Sequence, residues 1–314
     1  MDLLQDRLTR ARASGGVFAR TAATPPWGLR LAGTIQLSVH TVVQGRAWLW
    51  FDDPASALEL APGELALVRG GRAHHVAHEP GADCLEPHEF QARHARHEPV
   101  DGQRLTVFLC GAYRFSGDIG QGLLDALPEV VHLSVAVGDP LHDIVAVLSH
   151  ELSTDQPGQQ TILDRLLDVL LVLALRTGFT QSADAPRWFR ACADPRLSPA
   201  LQAMHQDAAR AWTVPELAAI SGLSRAAFAR IFTQALGQTP MQYLTDWRMA
   251  LARDHLRTSD LTLTQIAELT GYGSPYALAT AFHRHHQHAP GLWRRQELAR
   301  AAARPATTDN VHIF

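Results

Sequence analysis

Two groups of side chains in this 314-residue chain have the types and spacing to do chemistry. The first is a set of arginines, Arg225, Arg230 and Arg284, each in a helical stretch shortly after a glycine turn, with Arg294 and Arg295 beyond them. A guanidinium can fork onto the O6 and N7 of guanine, worth ~1–3 kcal/mol of base discrimination, or it can hold a phosphate. The second group is His40, His74 and His78, with Cys110 nearby in the strand pattern. His74 and His78 stand four apart, so a strand would carry both on one face. Three neutral imidazoles can bind Zn or Fe, and a thiol near them can sense oxidants. An inert buried thiol is the competing reading of Cys110. No Ser/His/Asp set and no phosphate loop is found: Gly15-Gly16 and Gly70-Gly71 lack the flanking residues of one. The chain offers no catalytic residue, and the expectation is a protein that is not an enzyme.

The arginines sit in a duplicated segment. Ala218 and Ala267 are 49 residues apart, as are Gly222 and Gly271, and after one inserted residue Ser224 and Ser274, Phe232 and Phe282, Pro240 and Pro290, and Tyr243 and Trp293 are each 50 apart. Each copy reads as helix, tight turn, helix. Thr213 with Glu216 and Thr262 with Gln265 form capping-box pairs. Ser224 and Ser274 are placed to cap the second helices, with Pro275 at a first helical position. Pro240 to Leu256 is long enough for one stiff helix between the copies. A helix-turn-helix lays its second helix in the DNA major groove, and two of them reach successive grooves about 34 Å apart. The groove-facing positions are Ser224, Arg225, Ala226, Ala229 and Arg230 in the first copy, and Ser274, Tyr276, Ala279, Thr280 and His283 in the second. Arg230 is placed for a base edge, and Arg225 and Arg284 for phosphates.

Trp212 to Arg295 resembles the DNA-binding domain of the AraC/XylS family of bacterial transcription regulators. The resemblance rests on Trp212, Glu216-Leu217-Ala218, Ser224-Arg225, Phe228, Arg230, Phe232, Gly237, Pro240, Tyr243-Leu244, Ile266-Ala267, Gly271-Tyr272, Ser274, Phe282, Pro290 and Arg294-Arg295. Departures fall in the second copy: Leu278 and His286 replace a usual Phe, Thr280 a frequent Arg, Gln287 a usual Gly and Trp293 a common Tyr. The resemblance implies double-stranded promoter or operator DNA as partner, a small-molecule effector, pairing into a homodimer, and contact with RNA polymerase in an activator.

The N-terminal part carries strand signals. Ile35, Leu37 and Val39 alternate with Gln36, Ser38 and His40, and short runs at Ala47 to Phe51, Glu64 to Val68, Ala73 to His78 and Leu105 to Cys110 are separated by turn residues. This predicts a small β-barrel or sandwich. Gly63-x5-Arg69-x-Gly71-x2-His74-x3-His78 resembles the second cupin motif, with Arg69 and His78 in place of Pro and Asn, while the first cupin motif keeps only His40 and lacks its Glu. Without that carboxylate a metal at His40, His74 and His78 is the weaker expectation, and a metal-free pocket for a small organic ligand the stronger. A redox- or metal-responsive regulator, or a cupin enzyme fused to a DNA anchor, stays as the alternative. The His-rich stretch around Cys84 (His75, His78, His88, His94 and His97) is broken by Glu79-Pro80, Glu86-Pro87 and Glu98-Pro99 and reads as a surface loop.

The expected architecture is α+β: a cupin-like barrel with flanking helices over 1–180, a Pro-punctuated linker over 181–204, two helix-turn-helix units over 205–300 and a tail over 301–314. A fragment from about 200 to 300 is expected to fold and bind DNA alone. The helix at 161–177 is more apolar than one core face needs, which suits a dimer contact. Charge agrees with this division: residues 205–304 carry 11 Arg against 7 acids, in a chain whose net charge is −3. A basic third on an acidic body suits a polyanion. No run of about 20 uncharged apolar residues spans a membrane. The N-terminal residues show no secretory pattern, and three cysteines suit a reducing cytoplasm.

Overall fold

A computed structural model describes residues 3–11, 14–33, 35–94, 104–115, 117–154, 156–182 and 185–303. His97 and the tail from 304 lie outside these residues. The chain runs through α1 (Leu3–Ala11), β1 (Ser14–Ala23), β2 (Gly28–Leu31), β3 (Leu37–Gln44), β4 (Ala47–Trp50), β5 (Leu58–Leu60), β6 (Glu64–Arg69), β7 (His74–Ala77), α2 (Pro87–His94), β8 (Thr106–Arg114), α3 (Gly117–Asp125), β9 (Val130–Ser134), α4 (Pro140–Glu151) and α5 (Gln159–Gln181). It continues as α6 (Arg187–Ala193), α7 (Ser198–Gln206), α8 (Val214–Ile220), α9 (Arg225–Leu236), α10 (Pro240–Thr258), α11 (Leu263–Leu269), α12 (Pro275–His286) and α13 (Pro290–Ala303). Among the described residues no helix is long and apolar enough to cross a membrane.

Two compact units divide the chain. One holds β1 to β9 with α2, α4, α5 and the end of α3; the other holds α1, the start of α3 and everything described from residue 185 onward. The fold class is α+β, as the sequence predicts.

In the N-terminal unit the strands form a five-stranded sheet, ordered β1-β8-β3-β6-β9, and a four-stranded sheet, ordered β2-β7-β4-β5. The expected barrel is therefore two sheets that keep their edges. Strand β3 lies in the middle of the larger sheet, with His40 opposite Cys110 of β8 and Ala66 of β6. Alternation in the sequence assigns Ser38 and His40 to a polar face, yet both are buried. Their side of the strand, shared with Val42, points into the core between the sheets. The other side packs beneath α4 and α5, where the Tyr113 hydroxyl donates to the Leu167 carbonyl at 2.9 Å. A central strand covered on both faces shows no useful alternation. The core itself is filled by side chains, with Trp27 stacked on Phe108 at 4.8 Å.

The helical unit holds two cores. Ala191, Leu197, Leu201, Trp212, Leu217, Phe228, Phe232, Tyr243 and Leu244 make the first; Met249, Ala252, Leu256, Ile266, Leu278, Phe282 and Trp293 make the second. Helix α10 serves both, its first half facing one core and its second half the other. Over 19 residues it spans about 28 Å. The segment expected to be a linker differs: residues 187–193 and 198–206 are helices, and Ala191, Leu197, Ala200, Leu201 and Met204 are buried in the first core. Pro199 sits in the first turn of α7, where a proline starts a helix as readily as it ends one.

Candidate nucleic-acid interface

The two helix-turn-helix units are built alike from their local residues. Thr213 and Glu216 cap α8 in a reciprocal box, and Thr262 and Gln265 do the same for α11. A third box, Thr239 with Gln242, opens α10. The Ser224 hydroxyl accepts from the Ala227 N–H at the start of α9, and the Ser274 hydroxyl from the Ala277 N–H at the start of α12. These two serines hold the N-termini of the recognition helices. In the turn before α12, Gly271 has φ +74°, and a Cβ there would lie 2.4 Å from the Ala209 carbonyl oxygen.

Burial separates the arginines into two classes. Arg248 donates to the carbonyls of Ala208 and Arg210, and Arg294 to those of Leu256 and Leu261. Both are half-buried staples between helices, so Arg294 is not the exposed cation that the sequence suggests. Arg225, Arg230 and Arg284 are exposed, and their guanidiniums form no hydrogen bond or ion pair with any described residue. They remain available to an outside anion.

The exposed row of α9 is Ala226, Arg230, Thr233 and Gln234. Fifty residues on, α12 presents Tyr276, Thr280, His283 and Arg284, with Tyr276 82% exposed. Thr233 and Gln234 are absent from the sequence-based set; the duplication carries the signal, since they are the counterparts of His283 and Arg284. The Thr280 hydroxyl donates to the Tyr276 carbonyl of its own helix at 3.0 Å. The sequence-based DNA set of Ser224, Arg225, Arg230, Ser274, Tyr276, Thr280, His283 and Arg284 thus occupies the starts and outer rows of α9 and α12, with Ser224 and Ser274 also engaged as caps.

In the N-terminal unit the predicted histidines do not assemble as a trio. His40 Nε2 lies 2.9 Å from His74 Nε2, and His40 Nδ1 lies 2.9 Å from Cys110 Sγ, all three residues being buried. Burial, then the neighbouring His74, holds His40 well below its ordinary pKa, and burial pushes His74 down to about 4. Burial also raises the Cys110 thiol. The protons fit a chain in which the thiol donates to His40 Nδ1 and His40 Nε2–H donates to His74. A covered, protonated thiol lacks the thiolate that oxidants attack. His78 lies apart, because β7 ends at Ala77 and the alternation ends with it. Its Nδ1 meets the Trp27 carbonyl at 2.7 Å. Among the described residues no three His, Cys, Asp or Glu side chains are placed to hold a metal ion.

His78 instead lines a cleft of about 1170 Å³ at one end of the sheets, with Pro25, Arg46, Trp48, Arg104 and Leu105. Gly45 permits this shape: at φ +81° it lies against β8, and a Cβ would come within 2.7 Å of the Leu105 carbonyl oxygen. Arg46 pairs with Glu59, while Arg104 has no partner among the described residues.

Known protein families match two stretches of this chain. A cupin family matches residues 2–180 and a helix-turn-helix domain family residues 217–296. A putative AraC-like transcription regulator of Streptomyces antibioticus is 33% identical over 305 residues, covering 95% of this chain and all of its own. Another, of Streptomyces lividans, is 31% identical over 299 residues, covering 94% of this chain and 98% of its own. Among solved structures, the DNA-binding domain of AdpA, in complex with a target DNA, is 31% identical over 35% of this chain and 98% of its own, with a TM-score of 0.33. With two tandem helix-turn-helix units behind a cupin domain, the chain belongs to the AraC-like transcription regulators.

Proposed function

We propose that this regulator reads a two-part operator with α9 and α12 and is switched in the cytoplasm by a small molecule bound to its N-terminal unit. The observation that carries the first half is the set of unpaired guanidiniums on two like-built recognition helices. Arg230 is assigned to a base edge, with Tyr276, Thr280 and His283 as its counterparts on α12; Arg225 and Arg284 are assigned to phosphates, and Ser224 and Ser274 to the helix ends that approach the backbone. Selection from a random DNA pool tests this. The expected outcome for Arg230→Ala is loss of preference at one base pair, and an unchanged preference removes Arg230 from base readout.

For the effector, the cleft is favoured over the buried His40–His74 pair. It is open, it joins an aromatic face (Trp48) to polar groups (His78, Arg104), and a site of that character suits a small organic ligand. Thermal-shift screening of the full chain with small acids, bases and neutral compounds is expected to give hits that vanish in Trp48→Ala with Arg104→Ala. Hits that persist in that variant place the site elsewhere.

Pairing into a homodimer is assigned to α5. Ile162 and Val169 are each 44% exposed there, and with the half-buried Leu166 and Leu173 they repeat at spacings of four, three and four residues. That is the seam of a two-helix coiled coil. Sedimentation of Ile162→Glu with Val169→Glu is expected to give monomer, and an unchanged dimer moves the interface off α5.

A further inference from the structure

We propose that helix α1 is a working part of the DNA reader: a brace, docked on α7 and α10, that prepares the first helix-turn-helix for its half-site. Nothing in the chain's order suggests this, since Asp6 and its main partner are 199 residues apart. Asp6 is 1% exposed, and its carboxylate accepts from His205 Nδ1 at 3.0 Å and from Arg10 Nε at 2.8 Å. His205 Nε2 in turn faces the Tyr243 hydroxyl of α10 at 2.8 Å. Burial lowers the His205 pKa to about 4, so the ring is neutral at pH 7. Its Nδ1–H donates to Asp6 and its Nε2 accepts from Tyr243, and both ring nitrogens are satisfied.

Aromatic faces complete the socket. The Arg7 guanidinium lies 4.6 Å from the Trp188 ring and 5.6 Å from that of Trp247, and His205 packs on Trp247 at 4.0 Å. Leu3, Leu4 and Ala11 are buried. A buried carboxylate and imidazole left unpaired cost far more than the same pair lost at a surface. Docking is therefore close to all-or-none, and a helix of nine residues is marginal by itself.

The consequence for DNA binding follows from where Tyr243 goes next. Its ring meets Phe232 of α9 at 5.7 Å, and Phe232 is fully buried beneath the exposed row that carries Arg230. Helix α1 packs on α6 and α7, its Arg7 and Arg10 lie over Trp247 of α10, and Arg225 and Arg230 are exposed. So α1 supports the reading face and does not mask it. The second copy's core, around Leu278 and Phe282, has no member on α1.

The test uses the full chain and selection from a random DNA pool, with affinity measured on the selected site. Asp6→Ala is expected to lower affinity about tenfold, or ~1.4 kcal/mol, by flattening the half-site read by α9 while the half-site read by α12 keeps its preference. Tyr243→Phe, which removes one hydroxyl and keeps the ring, is expected to do the same to a smaller extent and decides the matter if Asp6→Ala fails to fold. A chain lacking residues 1–11 is expected to regain affinity when a peptide of residues 1–13 is added, and not with the same peptide carrying Asp6→Ala. Equal loss at both half-sites, unchanged binding, tighter binding or failure of the peptide to rescue overturns the proposal.

Discussion

Helices α9 and α12 have one scaffold and two surfaces. Each begins at a serine cap, buries two apolar residues at a spacing of four (Phe228 and Phe232, Leu278 and Phe282) and ends in a left-handed residue, Gly237 at φ +77° or Gln287 at φ +60°. Their outward rows differ at every matched position: Ala226, Arg230, Thr233 and Gln234 on one, Tyr276, Thr280, His283 and Arg284 on the other. Duplication preserved what positions a recognition helix and left what it reads free to change. The exposed cation has moved from the middle of α9 to the last turn of α12, and an aromatic ring has taken the place of Ala226. The two half-sites of the operator should accordingly differ in sequence.

The strongest way to break the comparison is to damage the shared scaffold on one side. Phe282→Ala removes a ring that is fully buried and should cost about 3–5 kcal/mol. Chemical denaturation monitored by circular dichroism is expected to show the loss, and footprinting of any folded fraction to show the α12 half-site losing protection first. Phe232→Ala should mirror this at the α9 half-site.

Acid comes next, and it acts through the buried imidazoles. His74 and His205 titrate near 4 in the fold, against 6.5 for a free imidazole, with burial as the main cause for both. As pH falls below 6.5 the unfolded chain takes up protons that the folded one refuses. Stability is therefore complete above that value and is lost between 6.5 and about 4, by on the order of 2–3 kcal/mol for each group. Melting temperatures measured from pH 7.5 to 5 should fall. His74→Leu with His40→Leu should flatten the fall in the N-terminal unit and leave the His205 part unchanged.

A sharper use of the comparison exchanges nothing but the row. Arg230→Ala should cost ~1–3 kcal/mol of discrimination at one base pair, while Thr280→Ala at the matching position should cost far less, because that hydroxyl already bonds within its own helix. Equal effects in competition binding would show that the rows are not the readers. The smallest effect concerns the caps: Gln287→Gly should stabilise the chain by ~1 kcal/mol, since a left-handed backbone suits glycine. Calorimetry is expected to show the gain, with DNA preference unchanged.

The reader was largely legible in the sequence because its signals are local. A capping box, a serine cap and an i, i+4 apolar pair each lie within one or two turns, and the 50-residue echo states them twice. What escaped depends on distant partners. Nothing near Asp6 announces His205, and nothing near His40 announces that its ring is closed in by His74 and Cys110. The prolines of the expected linker over 181–204 suggest breaks, but Pro186 and Pro199 stand at helix starts and Pro195 in the turn between them, and the burial of Ala191 and Leu197 makes the segment core. A reader fragment should therefore begin near residue 185 and not near 200, and it should bind DNA fully only when α1 is supplied with it. His74 and His78 failed to share a face for a simpler reason, the end of a four-residue strand between them.

The central claim is that one chain reads two unlike half-sites with two like-built helices. Selection of the wild-type full chain against a random DNA pool, followed by footprinting of the selected site, tests it most directly. The account predicts two protected patches on one face, about one helical turn or 10–10.5 base pairs apart, with different base preferences. A single protected patch, or two patches of the same sequence, would contradict it.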